Sequence, residues 1–377
     1  METQTTQNPE DLLARQRTLL SFEDVRERVA KDHERKLSDV TLDMADIKVV
    51  PHDRSKYDGV VLEVPKMGEL TVTKWAERQL GSALGVNWEK WFDPRFVSPE
   101  DMEDELIRRF KGRNIRFKVR GSSYGQDSGV DDFDGYIRGF VSPKFASIDD
   151  ERIFDRLQRN FGGFTADMRF MQDHLGGDFL DDRSSHYSVV SEMVKLGELT
   201  EENNYLYNAA QAEGQLPDGD YMWYGWHLRN SEVGFSALSI CSFTYRLLCL
   251  NGAIQMTDGG KVLYRIHREI SDPDIDKLLR DAFRKLGGVW RNNMNHVQAL
   301  KDVAVEKPDA ELRDFLGSVK APQKFVDDAI AAFQEEPHKT RFGVMNAIAR
   351  AAQNTIGDMN KRYDLEGLAG QYTMQAA

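Results

Sequence analysis

A chain of 377 residues and 43.1 kDa, 40% hydrophobic and 10% aromatic, can bury a sizeable core, which excludes disorder, collagen and a staple-dependent mini-protein. Its 50 Lys and Arg against 62 Asp and Glu give a formal net charge of -12 and a pI near 5.3, which speaks against a wholly basic DNA-coating protein while leaving room for a local basic patch. No stretch approaches the roughly 18 apolar residues of a membrane span, the start METQTTQNPEDLLARQ lacks the apolar core of a signal peptide, and two cysteines, Cys241 and Cys249, cannot build a disulfide framework; an intracellular protein with no membrane contact is expected.

Residues 1 to 45 are polar and charged, with a helical pattern through Leu12, Leu13, Leu19, Leu20, Phe22 and Val25, and predict a helical or partly disordered arm. From Ile47 the pattern changes: IKVVPHD and GVVLEVP read as short strands bounded by Pro51, Gly59 and Pro65. LTVTKWAERQLGSALGVNWEKWF, interrupted by Gly81 and Gly85, predicts two short helices joined by a turn. A DNA-reading helix-turn-helix shares that outline, but Trp75, Trp88 and Trp91 suit a core, and the second helix carries only Lys90 as a cation.

Ser98 and Pro99 open a helix over SPEDMEDELIRRF, and beyond it the sign of the charge reverses. Arg108, Arg109, Lys111, Arg113, Arg116, Lys118 and Arg120 follow one another without a carboxylate. Within this run NIRFKVRG alternates: Ile115, Phe117 and Val119 point one way, Arg116, Lys118 and Arg120 the other. After the loop GSSYGQDSGVDDFDG, the segment YIRGFVSP also alternates and carries Arg138, so a β-hairpin with a basic outer face is expected.

SIDDERIFDRLQRNF is a clear helix, SHYSVVSEMV reads as a strand, and residues 200 to 220 as a loop. YMWYGWHLRNSEVGFSALSICSFTYRLLCLNGAIQ is the most apolar stretch and the expected centre of the core. From residue 271 onward the amphipathic segments DIDKLLRDAFRKL, KFVDDAIAAF and FGVMNAIARAAQ predict helices. The expected fold is α+β: an antiparallel or mixed sheet built from about 47 to 65, 114 to 142 and 222 to 268, packed by helices. It divides into an N-terminal arm (1 to 45), a core domain (46 to 270) and a helical C-terminal region (271 to 377).

Strand alternation sets side chains roughly 6.5 to 7 Å apart along one face, a pitch that suits successive phosphates of an extended single strand. Arg113, Arg116, Lys118, Arg120 and Arg138 are therefore the candidate phosphate contacts, with Tyr124 and Tyr136 nearby as stacking platforms. KVLYRIHREI extends the set: on one strand, Lys261, Arg265 and His267 share a face. The competing reading is a solvated strand face neutralised by Asp101, Glu103, Asp104 and Glu105. Asp127, Asp131, Asp132 and Asp134 lack the spacing of an EF-hand loop, and His174, His186, His227 and His267 form no ligand pair, so no metal or other cofactor is expected. Ser231 and Cys249 are conceivable nucleophiles, but neither lies in GxSxG and no spacing nominates a base, so no catalytic residue is assigned.

The segment 229 to 254 resembles the NSEVG and R-x-x-C-x-N-G pattern of the phage/plasmid-like proteins grouped as domain-of-unknown-function family 932. The matching positions are Asn230, Ser231, Glu232, Val233, Gly234, Arg246, Cys249, Asn251 and Gly252. Arg138, Ser142 and Asp149 fit a second family pattern in which Phe145 replaces the usual Tyr, and LTVTKWAERQLGSALGV looks like the family's N-terminal helix. The resemblance implies a phage, plasmid or prophage product acting in the cytoplasm of a bacterial host. Joined to the basic hairpin, it suggests a non-catalytic single-stranded DNA-binding or annealing protein in replication or recombination, similar in kind to phage annealing proteins and assembled as a homo-oligomer. Two alternatives stand beside it: an acidic phage protein that binds a host protein, and an enzyme with a pocket near NSEVG. A purely structural role for the motif would have Asn230 and Asn251 fix turns, Gly234 and Gly252 take special backbone angles, and Glu232 pair with Arg246 in the core.

Overall fold

The computed structural model describes residues 18–51, 59–93, 95–121, 134–165, 168–172, 183–197, 220–246, 251–255, 261–265, 267, 269–355 and 358–376. The fold is α+β, and its strands form two sheets instead of one. A mixed sheet contains β2 (Val40–Asp43), β3 (Lys48–Val50), β4 (Val61–Val64), β5 (Gly68–Val72), β6 (Asn114–Gly121) and β7 (Gly135–Val141), in the order β2-β6-β7-β5-β4-β3. Only β5 and β7 run parallel. An antiparallel sheet contains β1 (Leu19–Ser21), β8 (Arg169–Met171), β9 (Ser185–Gly197), β10 (Asp220–Asn230), β11 (Leu238–Arg246), β12 (Asn251–Gln255) and β13 (Lys261–Arg265). The outer edge of β11 is shared, β13 pairing with its first half and β12 with its second.

Each sheet buries an apolar face against helices, as an amphipathic two-layer packing requires. On the mixed sheet Leu62, Leu70, Val72, Phe117, Val119 and Ile137 pack against α2 (Lys74–Leu84), α3 (Trp88–Trp91) and α4 (Pro99–Phe110). The turn between the first two of these helices is made by Gly85 at φ 71, a left-handed conformation that suits glycine. On the antiparallel sheet Tyr187, Val189, Trp226, Leu228 and Ile240 meet α1 (Phe22–Glu34), α5 (Asp150–Thr165) and the first half of α6 (Asp272–Asp302). Serine and threonine start many of these helices: Ser21 forms a capping box with Asp24, and Thr73, Ser98 and Ser271 cap α2, α4 and α6.

The second half of α6 joins α7 (Pro308–Ser318), α8 (Gln323–Glu335), α9 (Arg341–Gln353) and α10 (Met359–Ala376) around a core of their own. This helical unit docks through α10 on the back of the antiparallel sheet. His186 Nδ1 lies 3.1 Å from His227 Nε2, and Ser188 Oγ is 2.8 Å from His227 Nδ1. The Asn360 side-chain oxygen accepts from Ser184 at 2.7 Å and from Arg229 at 2.8 Å, and lies 3.0 Å from His186 Nε2. The Arg229 guanidinium sits 4.8 Å from the centre of the Tyr363 ring. Cys241 is a buried free thiol 3.8 Å from the Tyr363 hydroxyl, and Cys249 lies outside the described residues.

No helix is long and apolar enough to cross a membrane among the described residues. SHYSVVSEMV is the first part of β9, and the C-terminal third is helical. The expected loop at 200 to 220 lies almost wholly outside the described residues.

Candidate functional site

The basic hairpin forms, since β6 and β7 pair antiparallel from Arg116 with Val141 to Gly121 with Gly135. Its polar face is not an outer face. Lys118 is 2% exposed, Arg120 1% and Arg138 5%, so three of the candidate phosphate contacts are unavailable to a ligand. The side chains alternate as the sequence predicts, but both faces are covered: Phe117 and Val119 meet the helices, and the cations meet α1, the segment 142–150 and the NSEVG turn. Arg116 is half-buried and donates from Nη1 to the Phe145 carbonyl at 2.5 Å. Tyr136 is 6% exposed and so is no open stacking platform, and Tyr124 lies outside the described residues. Of the predicted hairpin contacts among the described residues, only Arg113 is freely exposed, with Lys111 beside it. Of the acids at 101 to 105, Glu105 holds Arg108 and Arg109 on its own helix, and Glu103 accepts from the Val49 backbone amide.

What compensates the buried cations is a set of carboxylates gathered from distant parts of the chain. Lys118 Nζ donates to Asp39 at 2.6 Å and to Ser147 at 2.9 Å. Arg120 Nη2 lies 2.5 Å from Glu232 and 3.4 Å from Asp32, and Arg138 Nη1 lies 3.7 Å from the same Glu232 oxygen. Lys36 pairs with Asp149. Burial lowers the Lys118 pKa, and the charge of Lys36 adds to that.

Glu232 stands at the centre of this network. Burial pushes its carboxyl up, yet the charges of Arg120, Lys36 and Arg138 outweigh it and hold the pKa at about 2. Asp150 moves the opposite way, to about 6, first because it is buried and then because Glu232 is close. It accepts from the Asn230 amide at 2.6 Å and from the Tyr187 hydroxyl at 2.9 Å. One carboxylate of the neighbours is thus firmly ionised, while the other is close to neutral protonation balance in mildly acidic solution.

The NSEVG turn is therefore a structural joint between the sheets. Asn230 also donates to the Ile148 carbonyl at 2.7 Å. Ser231 donates to the Arg183 carbonyl at 2.6 Å and accepts from the Phe235 amide at 2.9 Å, which removes it as a nucleophile candidate. Gly234 takes φ +79, the left-handed angle that the turn requires. A Cβ on Gly139 of β7 would stand 2.8 Å from Val233, so the two sheets approach here as closely as a bare backbone allows. Gln79 completes the join: its amide donates to the Val233 carbonyl and accepts from the Phe140 amide, both at 2.9 Å. Glu232 pairs with Arg120 and Arg138 and accepts from the Asp150 backbone amide at 3.3 Å; the expected pairing with Arg246 concerns a side chain outside those described, as are those of Asn251 and Gly252 on β12.

Beside this joint a cavity of about 480 Å³ opens, within the 300 to 1,000 Å³ typical of small-molecule sites. Phe140, Phe145, Phe235 and Tyr264 supply four aromatic rings, and Gln79, Ser142, Ser236 and His267 supply polar groups. Tyr264 is 60% exposed, while His267 is buried with its ring 5.2 Å from that of Phe145. Arg265 does not share the His267 surface: it lines a separate cavity against α6, with Asp274 and Lys277. Among the described residues no cluster of His, Cys, Asp and Glu has the geometry of a metal site. Asp134 accepts from the Glu69 amide at 3.0 Å, and the other loop aspartates lie outside the described residues. The cavity's walls come from four separated segments, so no motif spells it out, although it does lie beside NSEVG, where a pocket was one of the alternatives read from the sequence. The likeness to family 932 rests on its motif residues: compared with known proteins, the chain matches no family model, no curated protein and no solved structure.

Proposed function

We propose that the chain binds single-stranded nucleic acid without reacting on it, in the replication or recombination of a mobile element, and that it does so at the aromatic cavity beside the NSEVG turn instead of at the hairpin face. The observation that carries this reading is the exposed Tyr264 ring at the mouth of a cavity walled by three further aromatic rings. Every base has a flat face, and stacking one on an aromatic side chain contributes about 1 to 3 kcal/mol. Lys144 is exposed next to Phe145 and has no ion pair among the described residues. One such cation gives a shallow salt dependence, a slope of about -0.7 in log affinity against log salt. The mobile-element setting comes from the motif residues Asn230 to Gly234 alone, and strand annealing would further require self-association of the chain.

Fluorescence anisotropy with labelled single-stranded and duplex DNA at two salt concentrations tests this. Binding should favour the single strand and weaken with salt, and Tyr264→Ala should reduce affinity about 5- to 100-fold, the loss of one stacked base. Absence of binding at low salt overturns the proposal and leaves the acidic surface as a docking face for a protein partner, to be sought by capture from host lysate.

A further inference from the structure

The aromatic cavity and the charged seam are built on the same two segments. Residues 142–150 put Ser142 and Phe145 into the cavity wall, then set Ser147 on Lys118, Asp149 on Lys36 and Asp150 against Glu232. The NSEVG turn is two-sided as well: Glu232 lies in the seam, while Gly234 and the following Phe235 line the cavity. One side chain ties the two segments together. Asn230 Nδ2 donates at 2.7 Å to the Ile148 carbonyl and at 2.6 Å to Asp150 Oδ1. Asp150 is 6% exposed, and the Tyr187 hydroxyl donates to its other oxygen at 2.9 Å. Donors thus point at both oxygens, an arrangement that suits a carboxylate and not a carboxylic acid. A proton on Oδ1 faces the Asn230 amide, and turning that amide so that its oxygen receives the proton takes the NH2 group away from Ile148.

We propose that the charge on Asp150 controls the aromatic cavity: ionised, it keeps the Asn230 tie and holds the Phe145 and Phe235 walls in the arrangement that takes a base; protonated, it breaks the tie to Ile148, and the cavity loses its ligand. The ligand rests on the nucleic-acid reading given above, and the control of the walls does not. Burial, and then the charge of Glu232, raises the Asp150 pKa to about 6, so the carboxylate prevails at neutral pH and the acid at pH 5. The groups around it titrate elsewhere. Glu232 has a pKa of about 2 and His267 of about 4, and burial pushes the Tyr187 hydroxyl on β9 well above 10. Arg120, Arg138 and Lys36 are the cations that keep Glu232 ionised, with Asp32 on α1 beside Arg120.

The test titrates the full chain, labelled with ring-¹³C phenylalanine, from pH 7.5 to 5, with Phe145 assigned from the spectrum of Phe145→Leu. Without ligand the Phe145 signal should move with a midpoint near pH 6, and in Asp150→Asn, which cannot ionise, it should hold one position. Affinity for a short oligothymidylate, whose bases keep their charge over this range, should be level near neutral pH. At pH 5 it should be about 10-fold weaker, following the fraction of carboxylate that remains. Asp150→Asn should bind at the weak level throughout. Oligomer binding by the parent that stays level from pH 7.5 to 5 overturns the control and leaves the strand-binding reading standing. A pH dependence that survives in Asp150→Asn also overturns it, because another group then carries the effect. No oligomer binding at any pH, with Phe145 moving near pH 6, overturns strand binding and upholds the control of the walls. No binding and no movement overturns both. Should Asp150→Asn fail to fold, the titration of the parent still decides.

Discussion

Two polar seams are buried at similar depth in this protein, and they are built from different chemistry. Where the mixed sheet closes on the NSEVG turn, ions face ions: Lys118, Arg120 and Arg138 meet Asp39, Asp32 and Glu232. Where α10 closes on the antiparallel sheet, the buried groups are mostly neutral, namely His186, His227, Ser184, Ser188 and Asn360, and the cations Arg229 and Arg183 pair with Asp364 and Asp358 nearer the surface. A hydrogen bond that loses one partner leaves a dipole unsatisfied, but an ion pair that loses one partner leaves a charge in a medium that solvates it poorly. The seams should therefore respond unequally to the same kind of damage.

Replacing Arg116, Lys118 and Arg120 together with Ser strands Glu232, Asp32 and Asp39 and opens a gap across β6, so no folded protein is expected, as judged by far-UV circular dichroism and gel filtration. Glu232→Ala alone should cost about 3 to 5 kcal/mol in urea denaturation, because Arg120 and Arg138 remain buried. A variant with the parent's midpoint would show that the charged seam is replaceable. Asn360→Ala removes the acceptor for Ser184 and Arg229 in the neutral seam, and should cost about 1 to 3 kcal/mol. If that loss equals the Glu232→Ala loss, charge is not what separates the two.

Acid sharpens the contrast. With its pKa held at about 2 in the fold against 4.5 without it, Glu232 contributes stability that is complete above pH 4.5 and disappears as the pH falls toward 2. Asp150, raised from 3.8 to about 6, has the reverse sign: it favours the fold at low pH, and that advantage is lost as the pH rises from 3.8 to 6. Stability should climb between pH 2 and 4.5 and yield part of the gain by pH 6. Asp150→Asn should flatten only the upper part, a difference that denaturation across this range would reveal. At the small end, Lys111→Ala and Arg113→Ala sit in the exposed turn between α4 and β6 and should each stay within about 0.5 kcal/mol of the parent.

The alternation of NIRFKVRG made the hairpin and its two faces legible in the sequence, but not what covers the second face. Lys118 finds Asp39 across 79 positions and Arg120 finds Glu232 across 112, distances over which composition carries no pairing information. A row of cations on a strand reads as a solvent-facing row unless its counter-ions are close in sequence, and here they are not. The same limit governs the sheets: the longer strands were recognisable from their apolar residues, but β1 and β2 fall in the segment read as a helical or disordered arm, β5 was merged with the helix that follows it and β8 was missed, and membership of one sheet or two depends on long-range pairing such as β5 with β7. The polar residues of NSEVG, set between apolar runs, did mark a structural joint, in which Arg120 and Arg138 are the described cations beside Glu232. The cavity wall was illegible because Gln79, Phe145, Phe235 and His267 converge only after the joint has closed.

That joint also bears on how the chain is made. Asp32 and Asp39 precede β6 on the ribosome, but Glu232, the nearest counter-charge of Arg120, is still 112 residues away, an interval on the order of 10 s at usual rates of synthesis. During that time Arg120 and Arg138 lack their shared carboxylate, and the seam cannot close until the NSEVG turn emerges. Slowing translation between these two points should lengthen the exposure of these two guanidinium groups, making their capture by cellular polyanions more frequent than for the finished protein.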